Sequence, residues 1–178
     1  MNAREEKNIS VVEWVESIAF SLGFIVLLFT FLCRIITVSG HSMDTTLADG
    51  DRLVVSNLFY SPQRQDVVVI DGYIRYGQPI VKRVIGLPGD EIDIDFKTGD
   101  VFVNGQLQNE PYIFAPTTQQ YDVSFPLTVP QNTLFVMGDN RPNSLDSRSS
   151  EIGFIDVRDV LGHALLRIFP FQKIGGIK

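Results

Sequence analysis

Ser42 lies in the stretch Ser39-Gly-His-Ser-Met-Asp-Thr-Thr-Leu47. A serine hydroxyl becomes a nucleophile only when a neighbouring base takes its proton. Gly40 would let a backbone pass close to a substrate there. His41 is the obvious first base, yet adjacent side chains on an extended segment point to opposite sides, so it is badly placed to deprotonate Ser42. Lys82 is the second candidate. It sits in Pro79-Ile-Val-Lys-Arg-Val-Ile-Gly-Leu-Pro-Gly-Asp90, among Ile80, Val81, Val84 and Ile85. A lysine ordinarily titrates at about 10.4, and a base working near neutrality needs its ammonium destabilised by about 4 kcal/mol, which desolvation among aliphatic side chains can supply. The plain alternative is a strand lysine turned to solvent, with Val81 and Arg83 on the opposite face. Composition alone favours that alternative.

A third stretch, Met137-Gly-Asp-Asn-Arg-Pro-Asn-Ser-Leu-Asp-Ser-Arg148, follows the apolar Leu134-Phe-Val and reads as a structured loop leaving a strand. Asp146 and Arg148 are spaced for a charge pair, and Ser144 can donate or accept a hydrogen bond beside it. Taken alone, the stretch could equally be a surface turn or a cation-binding loop. It lacks the twelve-residue ligand pattern and terminal glutamate of an EF-hand. The single cysteine, Cys33, rules out an internal disulfide framework and a multi-thiolate zinc site. With His41 and His163 the only histidines, a three-histidine metal centre is impossible. No metal and no cofactor are expected. The net charge of −6, with no basic run, argues against nucleic-acid binding.

These residues must be positioned by a small fold, since 178 residues amount to about one domain. Short segments rich in Val, Ile and Phe, bounded by Gly, Pro, Asp or Asn, predict strands over 51–58, 66–70, 79–85, 90–96, 100–107, 133–137 and 161–169. Strict alternation in Glu91-Ile-Asp-Ile-Asp-Phe96 makes that strand half buried. Asn104-Gly105 suits a type I′ hairpin, because both residues tolerate positive φ. The four prolines between Gln108 and Pro130 mark a long irregular excursion. The fold class is therefore mainly β.

The apolar excess is concentrated near the start. Ser17 to Cys33 is 17 residues without a charge, 13 of them apolar. Such a helix reaches roughly 25 Å, and Val11, Val12 and Trp14 can lengthen it towards the ~30 Å of a hydrocarbon core. A cleaved secretory signal would need a shorter apolar region and a clear small-residue cleavage site. A buried core helix is the other alternative. The expected organisation is a short cytoplasmic N-terminus at 1–10, a single membrane anchor at 11–34 and an extracytoplasmic domain at 35–178. Arg4 and Lys7 before the span, against Arg34 alone after it, favour a cytoplasmic N-terminus.

The three stretches, in this order behind an apolar span, resemble the motifs of bacterial type I signal peptidases. Gln65-Asp-Val-Val-Val-Ile70 also resembles that family's short strand between the serine and lysine boxes. The resemblance runs from the anchor to about Gly162. It implies an antiparallel β catalytic domain that cuts signal peptides from exported preproteins at the bacterial cytoplasmic membrane, after small residues in an A-x-A pattern. It also implies that Ser42 is the nucleophile and Lys82 a neutral general base, which reverses the preference for an outward lysine. Ser144 corresponds to the serine that orients the lysine, Asp146 and Arg148 to a supporting charge pair, and Gly138 and Asn143 to loop positions beside the site. Substrate pockets are implied at Ile36, Val38, Gly40, Met43, Leu47, Ile80 and Val81. The expected partners are preprotein signal peptides and membrane lipid.

Two positions depart from the family pattern. Gly40 stands where some members carry a serine that helps bind the oxyanion, leaving the backbone N–H of Ser42 as the expected donor. Thr45 replaces the usual proline, and the turn loses a fixed φ. Phe59, Tyr60, Phe169 and Phe171 are offered as a membrane-facing rim, with core packing favoured for each. The alternatives are a self-cleaving Ser/Lys repressor-type protease, a histidine-based hydrolase and a non-catalytic anchored β-domain acting as an export partner.

Overall fold

The computed structural model describes residues 3–72 and 77–177, with the side chains of residues 3–10 and 28–32 outside the description. The chain divides into two compact units, Met1–Arg34 and Ile35–Lys178. In the first, helix α1 runs from Ala3 to Leu32, and its described side chains from Val11 to Leu27 are exposed. Among the described residues no helix is long and apolar enough to cross a membrane. The expected span at 11–34 is not tested by this, because the apolar run continues through residues 28–32, whose side chains lie outside the described ones. The expected N-terminal segment 1–10 lies outside them as well.

The second unit is built from β1 (Arg34–Thr37), β2 (Arg52–Ser56), β3 (Val67–Ile70), β4 (Ile80–Gly86), β5 (Glu91–Asp95), β6 (Asp100–Val103), β7 (Gln106–Leu107), β8 (Leu127–Thr128), β9 (Thr133–Met137), β10 (Ile155–Asp156), β11 (Val160–Phe169) and β12 (Gly175–Gly176). The larger sheet has the order β1-β2-β11-β3-β4-β9-β10, with β12 added against β11, and the smaller one the order β7-β6-β5-β8. The pairings of β3 with β4, of β4 with β9 and of β11 with both its neighbours are antiparallel. The mainly β, antiparallel reading holds for this unit.

The expected strands appear within a residue or two at their ends, except that Asn104-Gly105 divides 100–107 into the β6–β7 hairpin. Both turn residues have positive φ, 52° and 73°, as a type I′ turn requires. β5 alternates exposed and buried residues, with Ile92 and Ile94 inside. The strands that sequence did not reveal, β1, β8, β10 and β12, are two to four residues long. Pieces that short carry too little periodicity to read.

β4 is covered on both faces. Val81 packs against one apolar cluster containing Met43, Leu47, Leu53 and Val69, and Ile80 against another containing Val68, Val84, Leu134 and Ile152. Any polar group on this strand is therefore forced out of water. Of the four aromatics considered for a rim, Phe59, Phe169 and Phe171 are exposed, with Phe169 meeting Phe171 edge-on and Arg52 over its ring, while Tyr60 stacks on His163.

Candidate active site

Lys82 follows from its strand. Opposite Val68 in the β3–β4 ladder, it is only 4% exposed. Burial is the main cause that lowers its pKa to about 8; Asp146 and Asp139 pull it back up, and Arg148 pushes it down. The ammonium donates to Ser144 Oγ at 3.2 Å. Such a lysine has a substantial neutral fraction at a pH where an exposed one has almost none.

The loop 138–148 is held by buried charges. Arg148 grips Asp146 with two bonds of 2.8 Å, Nε to Oδ1 and Nη2 to Oδ2, and both side chains are fully buried. Asp146 Oδ2 also accepts the Gly138 N–H at 3.0 Å, so the pair closes the loop on itself. Arg148 further donates to the carbonyls of Arg141 and Ser144. The irregular excursion 108–130 straps this loop down. Glu110 pairs with Arg141, Gln119 offers its carbonyl to Arg148, and Tyr121 donates to the Ser144 carbonyl at 3.0 Å.

Gly138 is the point of closest approach. A methyl group at this position would overlap Ser144 Oγ and the carbonyl of Ser42, so only glycine lets the loop touch the serine segment. Asn140 fastens the same segment twice: its N–H donates to the Ser42 carbonyl at 3.0 Å, and its Nδ2 to the His41 carbonyl at 3.0 Å. Thr46 donates its hydroxyl to Asp139, which is itself gripped by the buried Arg83. Ser42 is half buried between these attachments.

Ser42 and Lys82 line one groove of about 520 Å³ together with Gly40, His41, Ile80, Val81, Asn143 and Glu151, among others. Of the expected pocket residues, Gly40, Ile80 and Val81 are on the groove wall. Val38, Met43 and Leu47 are buried in the cluster behind it, with Ile36 packed against them. His41 turns its Nδ1 to Asp44 Oδ2 at 3.1 Å, with its side chain largely exposed. His163 is stacked on Tyr60, on β11. Among the described residues no cluster of His, Cys, Asp and Glu could hold a metal ion. The arrangement offers a hydroxyl and a lysine of lowered pKa in one partly enclosed groove, the equipment for acyl transfer by a serine.

Comparison with known proteins identifies the family. The family described as "Signal peptidase, peptidase S26" matches residues 11–169. The chain belongs to the signal peptidase S26 family. A signal peptidase I P of Bacillus subtilis subsp. natto is 36% identical over 96% of this chain and 95% of its own length. Signal peptidase I of Bacillus licheniformis is 38% identical, with 94% of each chain covered. The crystal structure of a signal peptidase I from Enterococcus faecalis matches with a TM-score of 0.50 at 33% identity, over 58% of this chain and 97% of that one.

In this S26 chain the two departures from the family pattern have visible settings. Gly40 has φ +90°, a conformation that suits glycine, and its N–H donates to Asp49 at 2.8 Å. Thr45 is exposed, and the turn around it is braced by the Leu47 N–H on the Met43 carbonyl at 2.8 Å and by Thr46 on Asp139. Sequence reasoning missed Asn140, Thr46 and the Arg83–Asp139 pair. The signal for the last was present, because an arginine within an apolar strand needs a carboxylate partner if it is buried.

Proposed function

We propose that this S26 peptidase is a membrane-anchored serine endopeptidase that removes N-terminal signal peptides from exported preproteins, with Ser42 as nucleophile and Lys82 as general base. The relatives at 36% and 38% identity are signal peptidases I. The observation that carries the assignment of roles is Lys82: buried, with a pKa lowered to about 8 and in the same groove as Ser42.

Neutral Lys82 takes the proton of Ser42 Oγ as the oxygen attacks the scissile carbonyl. The N–H of Ser42 receives the developing oxyanion. Lys82 then returns the proton to the leaving amine, and water, deprotonated by the same lysine, clears the acyl-enzyme. Ser144 orients the lysine, and the Asp146–Arg148 pair shapes the loop that carries Ser144. The substrate lies extended along the groove and is held through its backbone. The aliphatic side chains of Ile80 and Val81, backed by Met43 and Leu47, leave room for small residues before the cut and exclude large ones.

The anchor reading rests on the 17 uncharged residues from Ser17 to Cys33 and on the exposure of the apolar helix side chains described. It places the N-terminus in the cytoplasm and the catalytic unit outside, where lipid holds enzyme and signal peptide at raised effective concentration. The deciding experiment is cleavage of a preprotein ending its signal in A-x-A by the parent, Ser42→Ala and Lys82→Ala chains. Loss in both variants with the fold intact is expected. Full activity in Lys82→Ala would sink the dyad.

A further inference from the structure

A planar trans peptide points its C=O and N–H in opposite directions. The bond between His41 and Ser42 is not among the cis peptides of the described chain. Its carbonyl end is taken by Asn140 Nδ2 at 3.0 Å and by the Asp44 N–H at 3.3 Å. Its N–H end belongs to Ser42, and among the described residues nothing accepts from it. The next peptide along is pinned as well, through the Asn140 N–H on the Ser42 carbonyl at 3.0 Å. Asn140 is 5% exposed, and its Oδ1 accepts from Asn143 Nδ2 at 3.3 Å, which fixes the amide with its donor end towards His41.

We propose that Asn140 is the positioning residue of the oxyanion site: by holding the His41 carbonyl back, its side chain turns the Ser42 N–H into the groove and keeps it there. This inference rests on the Ser42–Lys82 reading. In this chain it matters more because Gly40 carries no hydroxyl, so one backbone donor has to serve without a side-chain second. A single donor stabilises an oxyanion only if it is already aimed, since turning a peptide plane during the reaction would add to the barrier. If the Asn140 amide is lost, the His41 carbonyl keeps only the longer 3.3 Å bond from the Asp44 N–H, and Gly40, with φ +90°, gives the backbone before it the freedom to let the His41–Ser42 plane turn. The backbone N–H of Asn140 survives such a substitution, so the Ser42 carbonyl stays held while the His41 carbonyl loses its shorter, side-chain bond.

The test compares preprotein cleavage with inhibition by a peptide aldehyde ending in alanine. In the aldehyde adduct, Ser42 Oγ bonds to the carbonyl carbon, the carbonyl π pair moves onto oxygen, and the Ser42 proton passes to Lys82, which reproduces the charge the N–H must meet. Asn140→Ala is expected to lower kcat by about 10- to 100-fold and to weaken the aldehyde by the same factor. Affinity for the product peptide should change less than about twofold, since product carries no tetrahedral oxygen. The midpoint of the pH profile should stay in place, because the groups that set Lys82 are untouched. Should Asn140→Ala fail to fold, Asn140→Asp keeps the shape and the acceptor for Asn143 and removes the donor, with the same losses expected. Unchanged kcat, or a parallel loss of product affinity, would overturn the proposal. Lys82→Ala in the same assay separates the two readings: its activity bears on the dyad and not on Asn140.

Discussion

Lys82 Nζ donates to Ser144 Oγ across 3.2 Å, between two side chains that are both buried. No other described hydrogen bond holds the ammonium, so this contact decides where the lysine points. Ser144→Ala should therefore lower kcat by about 10- to 100-fold through misplacement of the base, while KM stays close to the parent value. The cleavage assay reads both. A KM effect without a kcat effect would mean that Ser144 contacts substrate instead of Lys82.

The pKa of Lys82, lowered to about 8 from an ordinary 10.5, chiefly by burial, sets the pH behaviour. As a base it works only when neutral, so kcat/KM should climb through about pH 8 and level off above it. Stability moves in the same direction. Between the folded and unfolded pKa values the unfolded chain binds more protons, so the penalty for burying the ammonium is fully present below about pH 8 and is relieved as pH rises towards 10.5. Lys82→Met is expected to be more stable than the parent at pH 6 by something on the order of 3 kcal/mol. Urea unfolding at pH 6 and near pH 10 should show that margin shrinking with pH.

Gly138 leaves no room for a methyl group between Ser144 Oγ and the Ser42 carbonyl. Gly138→Ala should push the loop off the serine segment, breaking the Asn140 attachments together with the Lys82–Ser144 contact. Cleavage is expected to fall by more than about 100-fold, with thermal unfolding at lower temperature. A variant that kept its activity would show that this close approach is dispensable.

Asp146 is fully buried against Arg148. Asp146→Asn leaves that guanidinium buried without its carboxylate, which should destabilise the fold by about 3–5 kcal/mol. The carboxylate also raises the pKa of Lys82, whereas Arg148 lowers it. In whatever fraction folds, the rising limb of the pH profile should move to lower pH. A move to higher pH would contradict this electrostatic account.

Much of the fold was legible from the chain because the longer strands are bounded by turn formers and made of branched and aromatic residues. β5 shows its two faces outright, and the β6–β7 turn is written in Asn104-Gly105. β1, β8, β10 and β12 were not legible, since two to four residues are too few to show a period. The anchor lies at the other extreme: its signal is purely compositional, and the described helix does not reach the length and apolarity of a span.

For the groove, sequence by itself identified the stretches around Ser42, Lys82 and Ser144, and a shortage of histidine and cysteine that directs attention to lysine as a base. It could not decide whether Lys82 faces water. On a strand alone, alternate residues simply take opposite sides, and only the two apolar clusters packed on β4 make both sides an interior. The same limit hid Asn140, whose side chain meets the His41 carbonyl 99 residues away. Local pattern records which groups a segment presents, whereas burial and hydrogen-bond partners are set by what the rest of the chain brings against them.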